Sequence, residues 1–281
     1  VVATTALVHC GDADLLSALA SGSRTAALAV PFTSNQPSAI TVRADALTEG
    51  PGASTSNGVT GRVTSVADAL PADTLLVPTT DGLYAVDTHG DGVVVTPVVS
   101  LDLTRQLADV TFDRAVGRRI ASGSAASDAV AAALAAGAAL LASEQVGLAT
   151  WCIDATVEYF KTRYQFGRLI GSYQALKHRI ADMWVELAQA RAVARYAADC
   201  LATGSDDTAV ATAVAQAFVG PAAVRIAEEC LQLHGGIGFT WEHPIHLYLK
   251  RAKSDSLAFG TAAAHRSLLA NLVDLPAPET R

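Results

Sequence analysis

Charge is scarce in this chain. Of its 281 residues only 17% are Asp, Glu, Lys or Arg, against 51% hydrophobic. So little charge excludes a disordered polyelectrolyte and predicts a well-buried globular protein, either two small domains or one large one. Basic residues are the minority, and the formal net charge of −7 gives no electrostatic support to a nucleic-acid or anionic-membrane role. Cysteine is sparse too. Cys10, Cys152, Cys200 and Cys230 are scattered without a CxxC pair. That argues against a disulfide framework or a zinc site and fits free thiols in a reducing compartment. His9, His89 and the other histidines show no metal-ligand spacing, so no metal is expected. The opening VVATTALVHCGDAD has no basic segment and does not read as a secretory signal. The longest apolar run, Ala129 to Ala142, is 14 residues, short for a membrane span. Its alanines suit close helix packing. A cytoplasmic protein without membrane or nucleic-acid partners is expected.

What is present divides sharply. Residues 21–118 are rich in Val, Thr, Gly, Pro and Asp, with short β-prone runs AALAVPF, AITVRADAL, DTLLVPTT, GLYAVDT and GVVVTPVV. Turn formers at 81–82 and 89–92 separate them. This predicts a compact antiparallel β domain, with GPGASTSNG at 50–58 as an exposed loop. Residues 119–281 are helical in pattern. A helix capped by Ser124 or Ser127 should reach about Tyr159 and break near 163–171. A second should cover about 172–202. A third should start at an Asp206 or Asp207 cap and end at His234-Gly235-Gly236. A fourth should open at Glu242-His243-Pro244, and a last should cover about 257–272. Antiparallel helices with short loops make a bundle. Residues 1–20 read as the tail of a helical N-terminal domain that is mostly missing here, and the first residue is valine. The fold class expected is α+β, a middle antiparallel β domain followed by a C-terminal four-helix bundle.

Two clusters carry possible chemistry. In Arg163-x-x-Phe166-Gly167, an arginine at a helix break can fork onto a phosphate pair, and Gln174 opens the next helix eleven residues later. A structural interhelical loop is the alternative. In Gln232-Leu233-His234-Gly235-Gly236-Ile237-Gly238-Phe239, glycines permit positive φ and close backbone approach. A simple helix C-cap is the alternative, and His234 reads equally as a C-terminal histidine favoured by the helix dipole.

The combination of these segments with a basic helix and Gly260-Thr261 resembles acyl-CoA dehydrogenases. LASGSRTAALAV at 19–30 and VTSVADALPADTLLVP at 63–78 extend the resemblance, loosely, through the β domain. It implies FAD, acyl-CoA thioesters and α,β-dehydrogenation. Arg163, Phe166, Gln174, Gln232, Leu233, His234, Gly235 and Gly236 match the family's contacts to the ADP half of an FAD held mainly by the neighbouring subunit. Thr261 matches a threonine that touches the pyrophosphate of its own subunit's flavin.

The departures from the family are specific. Its usual catalytic glutamate is replaced by Phe259, and the alternative glutamate of a smaller branch by Gly137, so no catalytic base is expected. Glu144, about two turns from Gly137, and Asp255 are the other acids to consider. The flavin-binding strand, matched to residues 30–39, has lost its glycines, though Thr33 and Ser34 keep hydroxyls. Ser65 stands where a tryptophan covers the flavin ring. Groups aimed at the chain's own flavin are mostly lost, while those aimed at a neighbour's are kept. The resemblance thus points to a non-catalytic (beta) subunit of an actinobacterial heterotetrameric (α2β2) enzyme, a class associated with bulky CoA thioesters such as steroid side-chain intermediates. Its partner would be a catalytic homologue. An active homomer using Glu144 or Asp255, a flavin-free structural or acyl-CoA-binding protein, and a related oxidase or monooxygenase are the rival readings.

Overall fold

The computed structural model describes residues 1–37, 42–46 and 56–276. The chain forms two compact units, Val1–Gly137 and Ala138–Arg281.

The first unit opens with two helices, α1 (Val2–Cys10) and α2 (Ala13–Ala20), rather than one helical tail. Gly11 takes φ 71° and closes α1, and Asp12 caps α2 by accepting from the Leu15 N–H at 3.1 Å. The strands are β1 (Ala26–Leu28), β2 (Arg43–Ala46), β3 (Ser56–Ala67), β4 (Thr74–Pro78), β5 (Gly82–Asp87), β6 (Val93–Val98) and β7 (Leu107–Ser122). They make one sheet in the order β1-β4-β5-β7-β3-β2, with β6 also paired to β7. Every pairing is antiparallel except β1–β4, which is parallel. The two longest strands, β3 and β7, lie outside the five expected runs. Residues 56–58 of the expected loop belong to β3, and 50–55 lie outside the described residues. The core holds Val59, Val63, Leu75, Val77, Tyr84, Val86, Val110 and Phe112. A Cβ on Gly117 of β7 would come within 2.8 Å of Val59 Cγ2, so the sheet interior is filled there.

The helix α3 (Gly123–Thr162) starts directly after β7. Ser124 and Ser127 therefore lie inside it, and the Ser127 hydroxyl donates to the Ser124 carbonyl instead of capping. A short hairpin follows, β8 (Tyr164–Gln165) and β9 (Arg168–Leu169), then a 3-10 turn at Ile170–Ser172 and α4 (Gln174–Thr203). Next come α5 (Thr208–Leu233), a 3-10 turn at Gly235–Phe239, α6 (Ile245–Asp255) and α7 (Ala262–Leu272). Asp207 sits at the start of α5, but its carboxylate accepts from the Tyr196 hydroxyl at 2.8 Å rather than from a backbone N–H. The bundle core joins Leu148, Ile153, Phe160, Met183, Leu187, Ile226, Cys230 and Ile245. A second cluster is built largely of alanine, including Ala139, Ala142, Ala190, Ala194, Ala211 and Ala215, which lets helix axes approach closely. The helices α3 and α5 are long and apolar enough to cross a membrane, and 61% of the most apolar window of each is buried inside the chain.

The last helix begins later than its sequence pattern suggests. Residues 257–260 turn instead, with Phe259 at φ 53° and Gly260 at φ 101°. Buried His265 holds the turn, its Nε2–H donating to the Phe259 carbonyl at 2.8 Å. Its Nδ1 is buried and has no hydrogen-bond partner among the described residues. Burial pushes the His265 pKa down, and the bond to Phe259 offsets this in part. In the unfolded chain a histidine titrates near about 6.5. On acidification the unfolded state therefore takes up the proton first. The contribution to stability is complete above that pH and is lost as pH falls toward the lower folded value. His265→Gln keeps an N–H donor without the titration. Urea midpoints measured from about pH 7.5 to about pH 5.5 should fall less steeply for His265→Gln than for wild type. Parallel curves would contradict the assignment.

Candidate flavin-contact site

The site is built at one end of the bundle. The helix α3 stops at Thr162, and Arg163 closes it by donating its N–H to the Tyr159 carbonyl at 3.0 Å. The β8–β9 loop is two residues long, Phe166 at φ 52° and Gly167 at φ 76°. Two positive φ values mark a type I′ turn, where Asn or Gly is favoured at the first position and phenylalanine is strained. Phe166 is 93% exposed. The hairpin is tied to α4 by Tyr173, whose hydroxyl donates to the Gln165 carbonyl at 3.2 Å and whose ring lies 3.8 Å from the Arg168 guanidinium. Arg163 and Gln174 are exposed, and Arg163 has no ion pair within the chain among the described residues. Gln174 is the first residue of α4, and its N-cap Tyr173 supplies no side-chain cap.

The second segment ends α5. Gln232, Gly235 and Gly236 are exposed, while Leu233 and His234 are buried. The side chains of Leu233 and His234 thus serve the bundle interior, not an outward-facing ligand. The His234 Nδ1–H donates to the Cys230 carbonyl at 2.8 Å, and burial pushes its pKa down. It is a neutral, buried histidine, so attraction of an imidazolium to the helix dipole does not explain it. Gly235 has φ 63°, and a Cβ at Gly235 or Gly236 would meet nothing within 4 Å. The backbone there is open to another molecule.

His234 brings the two segments together. Its ring stacks on Tyr159, centroids 4.8 Å apart, and meets His243 at 4.3 Å. Tyr159 lies one turn before Arg163, so the stack fixes the hairpin against the Gln232–Gly236 run. Sequence reasoning did not single out Tyr159. Its signal is an aromatic residue one turn before the helix break. Thr261 caps α7, accepting from the Ala264 N–H at 3.2 Å, and is exposed.

The two positions that the resemblance matches to a catalytic base hold no acid. Phe259 and Gly137 occupy the two positions. Asp255 is wholly buried and 3.6 Å from the Arg251 Nε, so it cannot meet a substrate C–H. Glu144 accepts from the Arg251 Nε at 2.8 Å. That pairing, which spacing did not reveal, commits its carboxylate to α6.

In the first unit, a cavity of about 460 Å³ is lined by Val30, Ser34, Gln36, Val63, Thr64 and Pro78, among others. Ser65 sits at φ 54° in a bulge of β3. Its N–H donates to Asp109 Oδ1 at 2.9 Å, and its carbonyl accepts from the Phe32 N–H at 2.9 Å. The Ser65 N–H, then Arg62, hold the Asp109 pKa low. Thr33 is exposed. Of the matched stretch 30–39, residues 38–39 lie outside the described residues.

Residues 127–273 match the model of the acyl-CoA dehydrogenase C-terminal domain. The chain is 43% identical over 173 residues to acyl-CoA dehydrogenase IpdE2 of Mycolicibacterium smegmatis, covering 62% of this chain and 51% of that protein. It is 40% identical over 256 residues to acyl-CoA dehydrogenase FadE34 of Mycobacterium tuberculosis, covering 89% of this chain and 33% of that one. The chain thus spans about half or less of the length of these curated relatives. Among solved structures, a variant of the Tcur3481-Tcur3483 steroid ACAD superposes with a TM-score of 0.81 at 28% identity, covering 97% of this chain and 74% of that one. The family match over more than half the chain agrees with the sheet-then-bundle fold, and the chain belongs to the acyl-CoA dehydrogenase family.

Proposed function

We propose that this chain is a non-catalytic subunit of an FAD-dependent acyl-CoA dehydrogenase and completes the FAD site of a catalytic homologue in an α2β2 assembly. The observation that carries the reading is an asymmetry. Neither base position holds an acid, yet Arg163, Phe166, Gln174, Gln232 and Gly235-Gly236 form one exposed end of the bundle. These residues fit the ADP half of FAD. Arg163 is an unpaired cation for a pyrophosphate, Phe166 a flat face for adenine, and the open glycine backbone permits close approach. When bound, FAD supplies the acceptor for the hydride leaving the acyl chain. The residues of this chain bind and orient, and removal of the α-proton falls to the partner. The sealed Asp255 and the arginine-paired Glu144 weigh against an active homomer.

The substrate would be an acyl-CoA thioester. A bulky one, such as a steroid side-chain CoA, is favoured by the similarity to the Tcur3481-Tcur3483 steroid ACAD, whose name also joins two chains. A cytoplasmic location goes with this reading.

Two substitutions in this chain test the contact in a co-expressed complex. Arg163→Glu should weaken FAD binding by about tenfold or more, because it opposes the pyrophosphate charge. Retained flavin affinity would refute the half-site. Phe166→Asn should act in opposite directions on two readouts. Relief of the strained turn should stabilise the isolated chain by about 1 kcal/mol in urea unfolding, while loss of the aromatic face should lower FAD affinity. A variant that loses stability, or binds FAD as before, would show that Phe166 is not held there for the cofactor.

A further inference from the structure

The turn Ile170–Ser172, between the hairpin and α4, is seated directly on α3. A Cβ on Gly171 would come within 2.8 Å of the Phe160 carbonyl oxygen, so only glycine lets the turn approach this closely. The turn, the end of α3 and the start of α4 enclose a groove of about 490 Å³. None of the proposed flavin contacts lines it.

The groove is apolar within and basic at its edge. Val157, Phe160, Leu169 and Ile180 line it, all buried or half-buried. Spacings of three and four put Val157, Phe160 and Lys161 on one side of α3, and a spacing of three does the same for Lys177 and Ile180 on α4. Each helix therefore sets a lysine beside its apolar residues. Both lysines are exposed. Lys161 pairs with Glu158 at 2.6 Å, with the two side chains 62% and 69% exposed, and so exposed a pair is weak enough to yield to another anion. Lys177 has no ion pair within the chain among the described residues. The Ser172 hydroxyl donates to the Leu169 carbonyl at 2.6 Å, which leaves the two ammonium groups as the lining side chains that can donate to a ligand.

A lysine stem can simply cover apolar surface. Two lysines on opposite walls do more, because they place two positive charges over one apolar floor. The volume falls among small-molecule sites, which span roughly 300–1,000 Å³ and are mostly apolar with a few placed polar groups. Lysine is a compact point charge and imposes none of the bidentate geometry by which arginine selects phosphate. We propose that the α3–α4 groove binds an aliphatic carboxylate. Its chain lies along Val157, Phe160, Leu169 and Ile180, and its head sits between Lys161 and Lys177. The site stands apart from the half-site reading and does not need it.

Titration calorimetry of the full chain alone, with no flavin added, provides the test. Decanoate should bind saturably, and each methylene added between hexanoate and decanoate should tighten binding by about fourfold. Decanol keeps the chain without the charge and should bind about tenfold more weakly or worse. Lys177→Glu should weaken decanoate by about tenfold or more and leave decanol unchanged, while Lys177→Arg should keep the wild-type affinity. Ser172→Trp, which fills the groove from an exposed position, should block both ligands. The Lys177 variants change an exposed side chain and decide the charge contact even if Ser172→Trp unfolds. Decanoate that fails to bind, binds no better than decanol, or ignores Lys177→Glu would overturn the proposal. Because no flavin is present, failure here leaves the half-site reading untouched, and failure of that reading leaves this groove untouched.

Discussion

The proposed flavin contact rests on the packing of Tyr159, His234 and His243. It is an ordinary packing contact between neutral aromatic rings, yet it decides where two distant stretches of sequence end up. It acts beside the core contacts of Phe160, Ile170, Leu231 and Leu233, which join the same two regions. With it, an arginine, an exposed phenylalanine, two amides and an open glycine backbone occupy one end of the bundle. The stack also explains why His234 is buried and neutral. It donates to the Cys230 carbonyl, stacks on Tyr159 and meets His243 at a tilt, so it packs the site from within without facing outward from it.

The second constraint is negative. Phe259 holds a strained turn in the position of the family's usual base, and buried His265 secures that turn through the backbone carbonyl. The turn geometry is kept while the carboxylate is absent. The other acids nearby are committed elsewhere, Glu144 to Arg251 and Asp255 to the interior. On the proposed reading, a chain so arranged keeps the scaffold and the outward cofactor contacts of its family and leaves removal of the proton to a partner. In the first unit, Ser65 is held in its bulge by Asp109 and Phe32.

The helical half was largely legible in the sequence, because helix ends are marked locally. The expected second helix, about 172–202, is α4 at Gln174–Thr203, and α5 ends at Leu233 with His234 as its cap, just before its glycines. Pro221 lies inside α5 and the helix runs on, so packing overrides the lost N–H there. The β half was less legible. The strands β3 and β7 alternate apolar with polar residues instead of forming apolar runs, and β7 reads VTFDRAVGRR at 110–119, where it passes from its pairing with β6 to its pairing with β5. The motif residues of the proposed site were ambiguous one by one and could be read only as a combination that resembles the family. Tyr159, His243, Arg251 and Asp109 could not, because their roles arise only from contacts across the fold. The start of α7 was misplaced for a related reason, since Leu257 continues an apolar pattern that the Phe259–Gly260 turn interrupts.

The central claim is that this chain lends residues to another chain's flavin and holds none of its own. Flavin stoichiometry tests it most directly, with absorbance measured against protein for the chain purified alone and for its complex with a homologue that keeps the glutamate. The account predicts a colourless chain alone and one FAD for each pair of chains in the complex. A yellow homomer carrying one FAD per chain would contradict it and return the search for a base to this chain.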